Sequence, residues 1–386
     1  MSAPKSFRYR VSTNLRFGPG EAAKLGEELK ELGFAKPAAV VDSGVARHPK
    51  VLEALASVAA AGLTLQTHES NEAEPTYDYL EAFKSRLAGG GHDCIIGIGG
   101  GSVMDLAKGL AVLLTNEGPA LSFRGFPKLK NRPLPMIAVP TTAGTGSEVT
   151  FNAVFTDAAQ KKKLGINSIL NFPVCAIIDP LLTVDCPRSV TVSSGADALV
   201  HTLESYVHKN HTPVSRALSM EAFRLLFNAL GKVLDDPKNV SVRADLALGA
   251  YQAGTALMNS GSGPSGAFSY PLGAVYHVPH GYAGAAFLPS ITRHNVEKGY
   301  DYAPLYDLIE GADKSLPATE KNRRFADAIQ GLMDKLGVPK SLSHYKLGAQ
   351  DIRFMIDQYD VLKAGIDQNP IEITKDDVRR MMETLA

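Results

Sequence analysis

Short apolar runs alternating with amphipathic stretches constrain the fold of this chain more than any other feature. Residues 38–41 (Ala-Ala-Val-Val), 94–98, 135–139 and 174–178 are each apolar and end in Asp, Gly or Pro. Uninterrupted apolar runs of this length suit strands buried on both faces. Helical patterns lie between them, as at residues 21–32 and 103–114. Strand–helix alternation predicts an α/β domain with a parallel, doubly wound sheet. Past residue 183 the strand signal fades and helical patterns take over, at 196–209, 214–230, 242–258 and 318–336. Pro213 stands just before the second of these, where a helix start tolerates it. With 386 residues the chain exceeds one ordinary core. Two domains are therefore expected, an α/β domain over 1–183 and an all-helical domain over 184–386. The default place for a site is a cleft between them.

Two glycine-rich stretches follow predicted strands. In the first, an apolar strand runs into Gly99, Gly100, Gly101 and Ser102 and then into a helix carrying Asp105. Glycines let backbone approach a bulky anion, and the helix N-terminus adds free N–H groups and a positive dipole end. That is a cradle for a pyrophosphate, although the spacing is not G-x-G-x-x-G and a ligand-free tight turn also explains it. The second stretch, residues 140–150 (P-T-T-A-G-T-G-S-E-V-T), sets Thr141, Thr142 and Thr145 among glycines. Its hydroxyls and bare backbone suit a ribose, amide or phosphate, or simply a polar surface loop. Asp42 closes the first apolar run. A carboxylate there accepts hydrogen bonds from an adenine ribose and repels the 2′-phosphate of NADP, or it caps a helix. The expectation tilts to NAD and leaves NADP open.

The helical half carries metal-ligand chemistry. Asp197 and His201 are four apart on a predicted helix, hence on one face. Carboxylate and imidazole together suit Zn²⁺ or Fe²⁺, though such a pair is also common on helix surfaces. His277 and His280 flank a Val-Pro dipeptide before Gly281, a turn able to bear ligands.

Composition removes other classes. Lys plus Arg and Asp plus Glu number 40 each, so no net field draws nucleic acid or an anionic membrane. Lys161, Lys162 and Lys163 form the compact basic cluster. No run reaches the roughly 20 apolar residues of a membrane span. Residues 1–10 show no signal-peptide core, and Cys94, Cys175 and Cys186 form no C-x-x-C pair. A cytoplasmic protein is expected.

In order, G-G-G-S, P-T-T-A-G-T-x-x-E-V-T, D-A-x-x-H and P-L-G-A-x-x-x-x-P-H-G make the chain similar to the iron-containing (group III) alcohol dehydrogenases over nearly its whole length. The resemblance implies a dehydroquinate-synthase-like architecture, with a dinucleotide-binding N-terminal domain and a helical C-terminal domain that holds the metal in the cleft. It implies NAD(P)-dependent hydride transfer on a small alcohol or aldehyde, and a homodimer. It assigns Asp42 to the adenine ribose and Gly99, Gly100, Gly101, Ser102 and Asp105 to the pyrophosphate region. Thr141, Thr142, Thr145 and Lys163 fall near the nucleotide, and Asn152 on the substrate side. Asp197, His201 and His280 match three of the four family metal ligands.

The departure lies in G-x-x-H-x-x-x-H-P-L-G, which here reads Gly263-Pro-Ser-Gly266-Ala-Phe-Ser-Tyr270-Pro-Leu-Gly273. Gly266 stands at the fourth ligand and Tyr270 at the histidine beside the nicotinamide. Three readings stay open. In the first, three protein ligands suffice, with water or substrate completing an Fe²⁺ or Zn²⁺ shell; in the second, His277 substitutes; in the third, the site works without metal, with Tyr270 or His277 moving the proton. Ser262, Ser265 and Ser269 beside glycines suggest a polar substrate such as a polyol, hydroxy acid or acidic sugar. Two rival functions are a dehydroquinate-synthase-like lyase and a nucleotide-binding descendant without catalysis.

Overall fold

A computed structural model describes residues 6–160 and 162–385; Lys161 of the basic run lies outside them. The chain divides into two compact units. One comprises residues 12–191 and 237–251, the other 192–236 and 252–386 with the N-terminal segment up to Val11.

The first unit is built on a six-stranded parallel sheet. Its strands are β1 (Asn14–Phe17), β2 (Pro37–Asp42), β3 (Gln66–Ser70), β4 (Cys94–Gly99), β5 (Met136–Pro140) and β8 (Cys175–Ile178), in the spatial order β1-β8-β5-β4-β2-β3. The apolar runs are apolar throughout because each strand feeds two cores. Ile95, Met136 and Ala138 pack with the Tyr77–Leu87 and Gly101–Leu113 helices on one face. Ile96, Ile98, Ile137 and Val139 pack with the Leu25–Glu31 and Pro49–Ala60 helices on the other. From β2 the chain steps outward to β3, then returns past β2 to β4 and proceeds through β5 to β8. The direction of winding therefore reverses between β2 and β4. In open α/β sheets the crevice at such a point, beyond the strand C-termini, is where ligands sit. Asp42 and Gly99 are the residues at those two C-termini.

Three elements differ from the sequence reading. The pattern at 21–32 begins as a 3₁₀ turn, Glu21–Lys24, before the α-helix Leu25–Glu31. The edge strands β1 and β3 are half-exposed and too polar to show as apolar runs. An antiparallel hairpin of β6 (Asn152–Asp157) and β7 (Lys162–Asn167) follows the threonine loop.

Beyond residue 183 the described residues hold helices and no strand. Arg188–Val207, Pro213–Leu230, Val240–Met258 and Ala318–Leu336 stand close to the predicted spans. The three cysteines are free. Among the described residues no helix is long and apolar enough to cross a membrane.

Candidate active site

The first unit presents the glycine turn at the sheet's switch point. The Gly101–Leu113 helix starts directly after β4, and no side chain caps its N-terminus. Its first amides are therefore left for a ligand. Gly99 and Gly101 have tight surroundings. A Cβ on Gly99 would lie 2.9 Å from the Cβ atoms of Asp42 and Val103, and one on Gly101 would lie 2.8 Å from Thr145. Thr142 stands 3.5 Å from the equivalent position on Gly100. The Thr141 amide donates to the Gly99 carbonyl at 2.9 Å. The threonine loop thus closes over the glycine turn, joining two motifs about 40 residues apart in sequence. Asp42 accepts from the Gly44 amide through Oδ1 at 2.8 Å. Ser102 donates to the Ala73 carbonyl, and Lys163 pairs with the neighbouring Glu74 at 2.8 Å.

Asp105 and Asn152 sit deeper. Asp105 accepts from Ser147 Oγ at 2.6 Å and from the Val154 amide at 2.9 Å. Asn152 donates through Nδ2 to Asn167 Oδ1 at 2.7 Å, while its own Oδ1 is buried without a partner. Lys108, which sequence reading passed over, is fully buried beneath the same loop. Burial lowers its pKa to about 8 and raises that of Glu148 to about 7.

The second unit gathers Asp197, His201 and His280. One ligand atom from each lies within 4.8 Å of the other two. His201 Nε2 and His280 Nε2 stand 3.7 and 3.8 Å from Asp197 Oδ1. Those separations are long for hydrogen bonds but near the roughly 3.4 Å expected of two atoms bound about 2.1 Å from one tetrahedral ion. Asp197 is buried with no Lys or Arg partner among the described residues, and His201 Nδ1 is buried and unbonded. Two imidazoles and a carboxylate around this spacing fit Fe²⁺ or Zn²⁺. The P-H-G glycine has a local reason. A Cβ on Gly281 would fall 1.9 Å from the Ser193 carbonyl, so only glycine lets the His280 segment approach the helix bearing Asp197 and His201 this closely.

Position 266 is closed rather than vacant. A Cβ on Gly266 would lie 2.1 Å from Ser262 Oγ and 3.1 Å from Glu204 Oε2. Glu204, one turn beyond His201, is buried and anchors the start of the Pro264–Tyr276 helix. It accepts from the amides of Gly263 (2.7 Å) and Gly266 (3.1 Å) and from Ser262 Oγ (3.0 Å). Burial pushes its carboxyl pKa up, against these hydrogen bonds and the nearby His201. The i, i+4, i+7 spacing of Asp197, His201 and Glu204 was available in the sequence as a sign that Glu204 shares the ligand face.

Tyr270 is 39% exposed and packs edge-on against His280, with ring centroids 5.8 Å apart. His277 is exposed in a left-handed turn (φ 56°) that ends the Pro264–Tyr276 helix, outside the three-residue cluster. The serines are largely spent inside the fold: Ser262 on Glu204, Ser269 on the Gly266 carbonyl at 2.6 Å. Ser265 Oγ is buried and unbonded.

Family comparisons agree with both halves. Residues 12–180 match the model of the iron-containing alcohol dehydrogenases, and residues 191–386 match the C-terminal model of the Fe-containing alcohol dehydrogenase family. The chain belongs to the iron-containing alcohol dehydrogenase family. It is 32% identical to a 1,3-propanediol dehydrogenase of Citrobacter freundii, with 94% of each chain covered. It is 29% identical to a lactaldehyde reductase of Escherichia coli strain K12, over 95% of this chain and 96% of that one. The structure of a sulfoacetaldehyde reductase from Bifidobacterium kashiwanohense in complex with NAD⁺ superposes with a TM-score of 0.89, at 27% identity and 99% coverage of both chains. The chain is thus an oxidoreductase of a family that acts on CH–OH groups.

Proposed function

We propose that this iron-containing alcohol dehydrogenase family member transfers hydride between NAD(H) and a small polar alcohol or aldehyde, at a divalent metal held by Asp197, His201 and His280. The observation that carries the reading is the convergence of those three groups at ion-sharing distances. When bound, the ion would supply Lewis acidity to the substrate oxygen. The remaining work is binding and orientation by the chain. Gly99, Gly100, Gly101 and Ser102 seat the pyrophosphate, Asp42 faces the adenine ribose, and Thr141, Thr142, Thr145 and Lys163 line the nucleotide site. Asp105 holds the loop rather than the cofactor, in keeping with its bonds to Ser147 and Val154.

Gly266 offers no ligand atom, so Asp197, His201 and His280 would hold the ion, and water or a substrate oxygen would complete its shell. Tyr270 and His277 are exposed enough to pass a proton towards solvent, and Tyr270 does so from beside a metal ligand. A polar substrate is supported by the relatives named for propanediol, lactaldehyde and sulfoacetaldehyde. The reading includes a cytoplasmic homodimer.

Stopped-flow absorbance at the NADH band tests it. Wild-type protein should consume NADH with hydroxy- or acid-substituted aldehydes faster than with plain aliphatic ones. His201→Ala should lose turnover by a factor of about 10² or more while keeping NADH affinity. Cofactor recycling without net NADH consumption would favour the lyase reading. NADH binding without turnover on any carbonyl would favour the non-catalytic one.

A further inference from the structure

Lys108 lies two turns into the helix whose start forms the glycine turn, and its side chain has no exposure at all. A buried ammonium is costly unless its donors are all engaged. Here its Nζ donates to Ser147 Oγ at 2.7 Å, to Thr150 Oγ1 at 3.3 Å and to the main-chain oxygen of Asn152 at 2.9 Å. Asp105, 3.8 Å away on the same helix, balances the charge and ties in Ser147 and the Val154 amide. One ammonium thus fastens the far end of the threonine loop and the first residue of β6 to the pyrophosphate-binding helix. Asn152 is held at both ends, by Lys108 at its backbone and by Asn167 at its side-chain amide. What remains is Oδ1, buried and without a donor. An acceptor fixed in that state favours an incoming N–H or O–H group, because pairing it removes a desolvation penalty of about 1–3 kcal/mol.

We propose that Lys108 is a positioning residue for hydride transfer, holding Asn152 so that its free side-chain oxygen accepts a hydrogen bond from the bound carboxamide or substrate hydroxyl. The inference rests on the reading of this unit as the nicotinamide site. Preorganisation of this kind acts on kcat more than on ground-state binding of the distant dinucleotide phosphates.

The test is a double-mutant cycle on the full-length, metal-loaded enzyme with Lys108→Met and Asn152→Ala. Kd for NADH is read by fluorescence, kcat and KM by NADH consumption, and folding by thermal midpoint. Each single variant should lower kcat about 10²-fold while Kd for NADH rises at most about tenfold, the share of one carboxamide hydrogen bond. The double variant should be no slower than Asn152→Ala alone. Ser147→Ala, which removes one partner of the ammonium, should show a smaller loss that vanishes in the Asn152→Ala background, and serves if Lys108→Met does not fold. Multiplicative losses, or a parallel rise in Kd for NADH, would make Lys108 a structural residue and overturn the proposal. Full activity in Asn152→Ala would overturn it as well, while leaving the hydride-transfer reading intact. Failure of that reading shows separately, as absence of wild-type turnover.

Discussion

At residue scale Gly266 is closely packed. Gly266 sits under Ser262 Oγ and beside Glu204, so any side chain there must displace a hydrogen bond that closes a helix start. Gly266→Ala should lower stability by about 1–3 kcal/mol in urea titration. Adding Ser262→Ala should recover part of that loss, because it removes the atom in the way. Glu148 offers a second residue-scale test. Its folded pKa of about 7 lies above its ordinary value of 4.5 because burial disfavours the carboxylate. A raised folded pKa contributes stability that is present below about 4.5 and lost as pH rises through about 7. Glu148→Gln should therefore stabilise the protein at pH 8 and change it little at pH 5. Equal shifts of the urea midpoint at both values would contradict the sign.

At element scale the convergence of Asp197, His201 and His280 depends on two helices coming close. Gly281→Ala puts a carbon where the Ser193 carbonyl stands, so the His280 segment must retreat from Asp197 and His201. That variant should bind metal at least about tenfold more weakly by competition with a chelating dye, with a smaller effect on NADH binding. The P-H-G motif was plain in the sequence, but the reason for its glycine was not, since Ser193 is remote along the chain. The same divide runs through the fold. Strands β2, β4, β5 and β8 were legible because burial on both faces makes them apolar runs. Edge strands β1 and β3 were not, because each has one neighbour and an exposed side. In the hairpin, β6 alternates buried and half-buried positions and β7 opens on Lys162 and Lys163, which reads as polar loop. Among the candidate site residues, Asp197, His201 and His280 stood out by type and spacing. Lys108 did not, since a lysine in a helical pattern ordinarily faces solvent, and Glu204 was marked by its spacing alone.

At the scale of the whole molecule, equal numbers of acidic and basic residues leave no global attraction for a polyanion, and recognition falls to local groups. One unit carries the glycine turn and the other the three candidate ligands. Nucleotide binding and metal binding should therefore be separable by mutation, each surviving loss of the other. Metal content of the purified protein by mass spectrometry, compared with that of Asp197→Ala, bears most directly on the central claim. The account predicts near-stoichiometric iron or zinc in the wild type after anaerobic loading, and its loss in the variant with NADH binding retained. A wild-type protein that turns over substrate yet takes up neither ion would contradict it, and would move the chemistry to Tyr270 and His277.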